Sequence, residues 1–324
     1  MEFTETPIIL ERPADATRQY IDATATFTAY EEAMAESTQL KGGMYWHRGS
    51  SANPENSYLV RTSAAGSEKS LGPRSPETEA IYTAFRQKKE ASEQRLAGLS
   101  AALTSHQRMN RALRVGRVAP IVIDILNRLA TSRLDAHFRI VGTHALYAYE
   151  AAAGVIFDGN TVATRDIDLL WDVRKRISFA TALKRVDSSM LGVLQKVDPS
   201  FRVRQSQKYT AVNKDGFEVD IIRRLAILDD PHPVRLSDSE SDFWAIPAPR
   251  AQTLLDTELF SAVIVASNGA MARMNTIPPS TFVRFKQWMS ELPDRDPGKR
   301  RRDKLQARAV EHVLQEYLPH LTGH

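Results

Sequence analysis

Residues 164–171 read Thr-Arg-Asp-Ile-Asp-Leu-Leu-Trp. Asp166 and Asp168 stand two apart at the start of an apolar run, a pattern that predicts a β-strand. Residues two apart on a strand share a face, with backbone positions roughly 6.5–7 Å apart. Ile167, Leu169 and Trp171 then point the other way, into a core. Two neighbouring carboxylates repel each other, and holding them in an apolar strand is costly unless a cation lies between them. Hard oxygen ligands suit Mg²⁺, which binds one or two carboxylates together with substrate phosphates. That arrangement serves phosphoryl or nucleotidyl transfer. The pair alone is weak evidence, because 39 of 324 residues are acidic and Asp294 and Asp296 form another such pair. Two features strengthen it. A strand, Gly142-Thr143 and a helix precede it, and a second apolar strand, Phe217-Glu218-Val219-Asp220-Ile221-Ile222, follows. Asp220 offers a third carboxylate. Glu218 lies on the same strand face and is its rival.

The elements that must position these groups are legible from periodicity and turn residues. A short strand over 138–141 ends at Gly142, and 143–153 is Ala- and Tyr-rich and helical. Residues 154–164 read as a loop, 166–171 as a strand and 176–194 as broadly helical. Strands over 201–212 and 216–223 are joined by Asn213-Lys214-Asp215-Gly216, a strong hairpin turn. A loop rich in Pro, Ser and Asp runs to Pro247-Ala248-Pro249. A hairpin over 260–274 turns at Ser267-Asn268-Gly269, and two helices divided by 292–298 fill 280–321. Upstream, helices are expected over 14–39, 76–111 and 119–134. The second of these starts at Ser75-Pro76-Glu77, with Pro at the first helical position. Short strands are expected at 44–46, 57–61 and 69–72, separated by turns that include 49–51 and 64–67. The predicted domains are an N-terminal extension over 1–135, a core over 136–235 and a C-terminal hairpin and helical region over 236–324.

Taken together, these segments resemble the nucleotidyltransferase superfamily that includes DNA polymerase β. Ile140-Val141-Gly142-Thr143 is similar to its strand ending in Gly-Gly or Gly-Ser, with Thr keeping the hydroxyl. Asp166-Ile167-Asp168-Leu169 matches its Asp-x-Asp strand, and Val219-Asp220-Ile221 its third acidic strand. The similarity covers about 136–225 directly and looks like a bacterial branch of the superfamily. More loosely it reaches the C-terminus, where Pro278-Pro279, Lys286 and the helix over 300–307 look like a substrate-side extension. The stretch from Gly142 to Asp166 is longer than in compact members. The resemblance implies an α/β (α+β) fold, a mixed sheet flanked by helices, with helical N- and C-terminal regions and a small N-terminal sheet. It implies that Asp166 and Asp168 bind two Mg²⁺ ions, with Mn²⁺ as an alternative. Asp220 would complete the second metal site and help deprotonate an attacking hydroxyl. Gly142 would let backbone approach a triphosphate, and Thr143 would donate to a phosphate oxygen. The implied activity is transfer of a nucleoside monophosphate from an NTP to a hydroxyl of RNA (including tRNA), a protein or a small molecule. A toxin role follows by analogy alone. The rival reading is a nucleic-acid-binding module with a vestigial site.

Around this frame, Arg165 reads either as a phosphate ligand or as a brace for Asp166 or Asp168. Lys286 and Lys304 are candidates for triphosphate contact, against the ordinary fate of helix lysines as solvated charges. His144, Tyr147 and Tyr149 read as packing residues, and Asp172 as the end of the strand. Net charge is +4, and residues 284–308 carry nine basic against four acidic residues, a local +5. That segment suits a polyanion or is a solvated helix face. Tyr45, Trp46, Arg48, Tyr58, Arg61 and Arg74 mix aromatic and basic character. They read as a nucleic-acid grip or as a small sheet packed on the long helix. That sparse, charged helix is an arm or a homodimer contact. There is no cysteine, which excludes disulfide scaffolds, thiolate metal sites and Cys nucleophiles. No stretch approaches the roughly 18–20 apolar residues of a membrane span. Glu2, Glu5, Glu11 and Asp15 do not suit a signal peptide, so a soluble cytoplasmic protein is expected.

Overall fold

The computed structural model describes residues 8–48, 57–63, 66–186, 188–227 and 234–322. The turn expected at 49–51 and the first half of that at 64–67 lie outside them. In chain order the elements begin with β1 (Ile9–Glu11), α1 (Ala14–Gln39), β2 (Met44–Arg48), β3 (Ser57–Thr62), β4 (Glu68–Pro73), α2 (Pro76–Ala112) and α3 (Pro120–Thr131). There follow β5 (Phe138–Val141), α4 (Leu146–Ala153), β6 (Val155–Phe157), α5 (Gly159–Val162), β7 (Asp166–Trp171), α6 (Arg176–Arg185) and α7 (Met190–Gln195). Next are β8 (Arg202–Arg204), β9 (Gln207–Val212), β10 (Glu218–Arg223), β11 (Val234–Arg235), β12 (Trp244–Pro247) and α8 (Ala251–Leu255). The hairpin β13 (Phe260–Val265) and β14 (Met271–Thr276) leads to α9 (Pro279–Glu291) and α10 (Pro297–Glu316). The fold is a mixed α/β architecture, as the sequence indicates. Contacts divide it into two compact units: residues 19–109, and residues up to 18 together with 110 onward.

In the unit of residues 19–109, β2, β3 and β4 form an antiparallel sheet. Its aromatic and basic residues pack on α2. Trp46 lies 5.9 Å from Tyr82, Arg74 sits over Trp46 and Arg61 over Phe85. His106 of α2 bonds Gln19 and Thr26 of α1. These are the contacts of the packing reading. Ser75 starts α2 by accepting from the Thr78 N–H at 3.3 Å, with Pro76 at the first position.

The larger unit is built on a nine-stranded mixed sheet, ordered β11-β12-β10-β7-β5-β14-β13, with β9 on β10 and β8 on β9. β7 lies at its centre, antiparallel to β5 and parallel to β10. Ile167, Leu169 and Trp171 are buried on one face, where Trp171 and Phe138 meet Phe179 of α6. The other face carries Leu170 into a cluster with Leu146 and Tyr149 of α4, Leu254 of α8, Phe282 of α9 and Val310 of α10.

Four expectations need correction. The 154–164 stretch is not a plain loop: it holds β6, paired antiparallel with β1, and the short α5. Its strand residues Val155 and Phe157 are buried because residues 9–11 supply a partner from far along the chain. The 176–194 helix is two helices, the second capped by Ser189. The 201–212 strand is a tight hairpin of β8 and β9. The loop expected to run to 247–249 contains β11 and β12; β12 pairs with β10 and β11 with β12, extending the sheet.

Candidate active site

The register of the central strands assembles the carboxylates. Asp220 of β10 stands opposite Asp168 of β7, and Glu218 opposite Asp166. Ligand oxygens of Asp166, Asp168 and Asp220 lie within 4.8 Å of one another. Burial, then the charges of Asp166 and Asp220, push the Asp168 carboxyl up to about 7, while Lys286 and Arg295 pull the other way. Burial also raises Asp220. Three carboxylate oxygens this close together, two of them on groups that burial pushes up, are a donor set that a hard divalent cation would relieve, and the residues fit such an ion. Glu218 is occupied differently: its carboxylate pairs with Arg204. Asp220 therefore lies with Asp166 and Asp168, while Glu218 lies against an arginine.

The outer carboxylates are oriented by threonines that sequence reasoning missed. Thr164 donates to Asp166, and Thr210, opposite Asp220 in register, donates to it at 2.5 Å. The signal for Thr210 was a small polar residue in the strand paired with the third acidic one.

Gly142 ends β5 beside Asp168, since Val141 is the register partner of Asp168. Its φ is +70°, and a Cβ there would stand 2.2 Å from Asp168 Oδ2. Conformation and space both require glycine. Thr143 follows, nearly buried. Its hydroxyl oxygen accepts from Arg302 (2.9 Å) and from Gln306 (3.1 Å), both on α10. A hydroxyl has two acceptor sites and one proton, so the Thr143 proton is left to donate elsewhere. Arg302 also donates to the Ala163 carbonyl at 2.5 Å, and Gln306 to that of Thr161 at 2.8 Å. The C-terminal helix, the α5 segment and the Gly-Thr turn are thereby one rigid wall. Neither Arg302 nor Gln306 was singled out in the sequence, where they sit within a charge run.

Lys286 is not a solvated helix lysine. It is buried and donates to Asp303 at 2.7 Å, and Arg295 holds the other Asp303 oxygen at 2.5 Å. Burial lowers the Lys286 pKa, with Asp303 and then Asp168 acting against it. Lys304 follows Asp303 on α10 and is exposed. Arg165 braces neither carboxylate: it is exposed and donates to the Asp215 carbonyl at 2.8 Å, tying β7 to the β9–β10 turn. His144 is a packing residue against Tyr147 and Phe217, and burial drops its pKa to about 4. Tyr149 is fully buried and donates to the Ile277 carbonyl. Asp172 ends β7 and pairs with Arg174.

No curated protein and no solved structure matches the chain at a significant level. A family model described as Nucleotidyltransferase matches residues 121–323, well over half of the 324. That span starts in α3, takes in β7 and β10 with Asp166, Asp168 and Asp220, and runs through α10, whose Arg302 and Gln306 hold the Gly-Thr turn. The chain belongs to the nucleotidyltransferase family.

Proposed function

We propose that this protein is a metal-dependent nucleotidyltransferase that transfers a nucleoside monophosphate from an NTP to a hydroxyl acceptor. The observation that carries the reading is the convergence of Asp166, Asp168 and Asp220 within 4.8 Å beside a Gly-Thr turn. Mg²⁺ is the proposed ion, held by these three carboxylates; it would neutralise the triphosphate and the charge that develops at phosphorus. Asp220 accepts the acceptor's hydroxyl proton. The oxygen so freed bonds to the α-phosphorus as the bond to the bridging oxygen breaks, and pyrophosphate leaves. Thr143 donates its free proton to a phosphate oxygen, and Gly142 keeps the backbone close. Lys286, positioned by Asp303, supplies positive potential from below Asp168, and Lys304 and Arg165 are outer phosphate contacts. Most of the rate enhancement comes from positioning and electrostatics.

The test is isothermal titration of each NTP, with and without Mg²⁺, on wild type and on the Asp166→Ala, Asp168→Ala double variant. Metal-dependent binding of at least one NTP, lost in the double variant, is expected. Absence of NTP binding to folded wild type under every condition overturns the reading.

A further inference from the structure

The sheet face that carries the triad continues past it onto a basic and aromatic surface at the free edge. Thr210 reaches Asp220 on this face, so Lys208, two residues earlier on β9, projects to the same side roughly 6.5–7 Å further out. β9 and β12 share one edge of β10, each pairing with a different half. Ile246 is opposite Ile222, which is two residues after Asp220, so Trp244 also stands on the triad face. The Lys208 ammonium lies 5.2 Å from the Trp244 ring centroid. Arg235 of β11 is the direct register partner of Trp244 and therefore flanks it on the same face. On the outer strand β8, Arg202 is opposite Val212, itself opposite Glu218, which places it on this face as well. Arg202, Lys208 and Arg235 are exposed, and Trp244 is partly so. Glu218, the acidic residue of β10 on this face beyond the triad, is already neutralised by Arg204.

Two exposed cations, Lys208 and Arg235, flank one partly exposed aromatic ring on the triad face, and Arg202 lies on the same face toward the other end of β9, level with Glu218. A ring with an accessible face stacks any base, and the flanking cations take the backbone phosphates. An isolated small acceptor would not need an extended row, and a protein acceptor would not favour this sign of charge without acidic residues of its own.

We propose that the acceptor is a single-stranded polynucleotide whose 3′ hydroxyl reaches the triad while a base near that end stacks on Trp244 and Arg202, Lys208 and Arg235 hold its phosphates. This rests on the nucleotidyltransferase reading above and names the acceptor class for that same site. In the step so defined, the 3′ oxygen bonds to the α-phosphorus of the NTP and pyrophosphate departs. The hydroxyl proton goes to Asp220, and the strand grows by one nucleotide.

The experiment uses the full-length protein and 5′-fluorescein-labelled 12-mers of mixed sequence, one RNA and one DNA. Anisotropy gives the affinity, and gel extension with Mg²⁺ and each NTP gives the product. The variants are Trp244→Ala and the charge reversal Lys208→Glu, Arg235→Glu; NTP titration is run in parallel on each. Binding of at least one 12-mer by wild type is expected. Trp244→Ala should weaken it by about tenfold, within the range for one stacked base, and the reversal should weaken it more and flatten its salt dependence. NTP binding should be unchanged in both variants. The RNA and DNA arms identify the sugar. The reversal changes only exposed side chains, so it remains informative if Trp244→Ala fails to fold. Wild type that binds NTP but neither 12-mer, or variants that bind the 12-mers as wild type does, would overturn the proposal and leave the nucleotidyltransferase reading standing. Wild type that binds no NTP would overturn that underlying reading instead.

Discussion

At the scale of single residues, the site is a competition between carboxylates that repel and neighbours that tolerate them. Asp168 carries the largest burden, with Asp166 and Asp220 facing it and Gly142 pressed against its oxygen. Gly142→Ala adds a Cβ where the backbone is left-handed and 2.2 Å from Asp168 Oδ2. It should cost about 1–3 kcal/mol of stability and displace Asp168. Urea denaturation read beside Mg²⁺-dependent NTP titration checks both effects. Asp220 and Glu218 share a face but differ in partners. Asp220→Asn should abolish divalent-ion binding, measured by Mn²⁺ paramagnetic resonance. Glu218→Gln should leave ion binding within about threefold, because that carboxylate is spent on Arg204. Equal loss in the two variants would refute the assignment of the third ligand.

At the scale of elements, buried charge pairs clamp α9 to α10, and polar ties join α10 to the Gly-Thr turn and the α5 segment. Lys286 of α9 and Arg295 of the connection both converge on Asp303 of α10. Asp303→Ala would leave Lys286 buried without its carboxylate, which should destabilise the fold by about 3–5 kcal/mol. Equilibrium urea unfolding measures that directly. Restoring neutrality with Lys286→Met in the same chain should recover part of the loss, since the penalty lies in the unpaired charge. Gln306 makes a subtler tie, spanning from α10 to Thr143 and to the Thr161 carbonyl. It converts a helix distant in sequence into a wall of the Gly-Thr turn.

At the scale of the whole molecule, global stability should carry a histidine signature. Burial lowers His144 from its ordinary 6.5 to about 4, and burial lowers His137 as well. The unfolded chain therefore binds these protons more readily than the folded one. The contribution of a neutral His144 is fully present above about pH 6.5 and is lost as pH drops toward 4, by as much as about 3 kcal/mol, against the opposite contribution of the raised Asp168 carboxyl. The His144→Gln variant should show a shallower decline over that window in urea unfolding at stepped pH. A decline as steep as wild type would show that the ring is not held neutral. Among the described residues, no helix is long and apolar enough to cross a membrane.

Local chemistry wrote much of this protein into its sequence. The alternation at the start of 166–171 placed Asp166 and Asp168 on one face and Ile167, Leu169 and Trp171 in the core, because strand periodicity is a property of the backbone alone. Pro76 after Ser75, and the Asn213–Gly216 turn, fixed element ends for equally local reasons. What only the tertiary structure decided depends on partners far apart in the chain. β6 is a strand because β1, about 145 residues earlier, lies beside it. Asp220 meets Asp168 because the parallel register of β10 on β7 sets them opposite, and Glu218 meets Arg204 because the β8–β9 hairpin brings that arginine in. Lys286 is a buried structural cation because α10 folds back over α9 and sets Asp303 against it. A sequence determines which face a side chain occupies; which charge it meets there is settled when distant strands and helices pack, since electrostatic partners are chosen by distance in space.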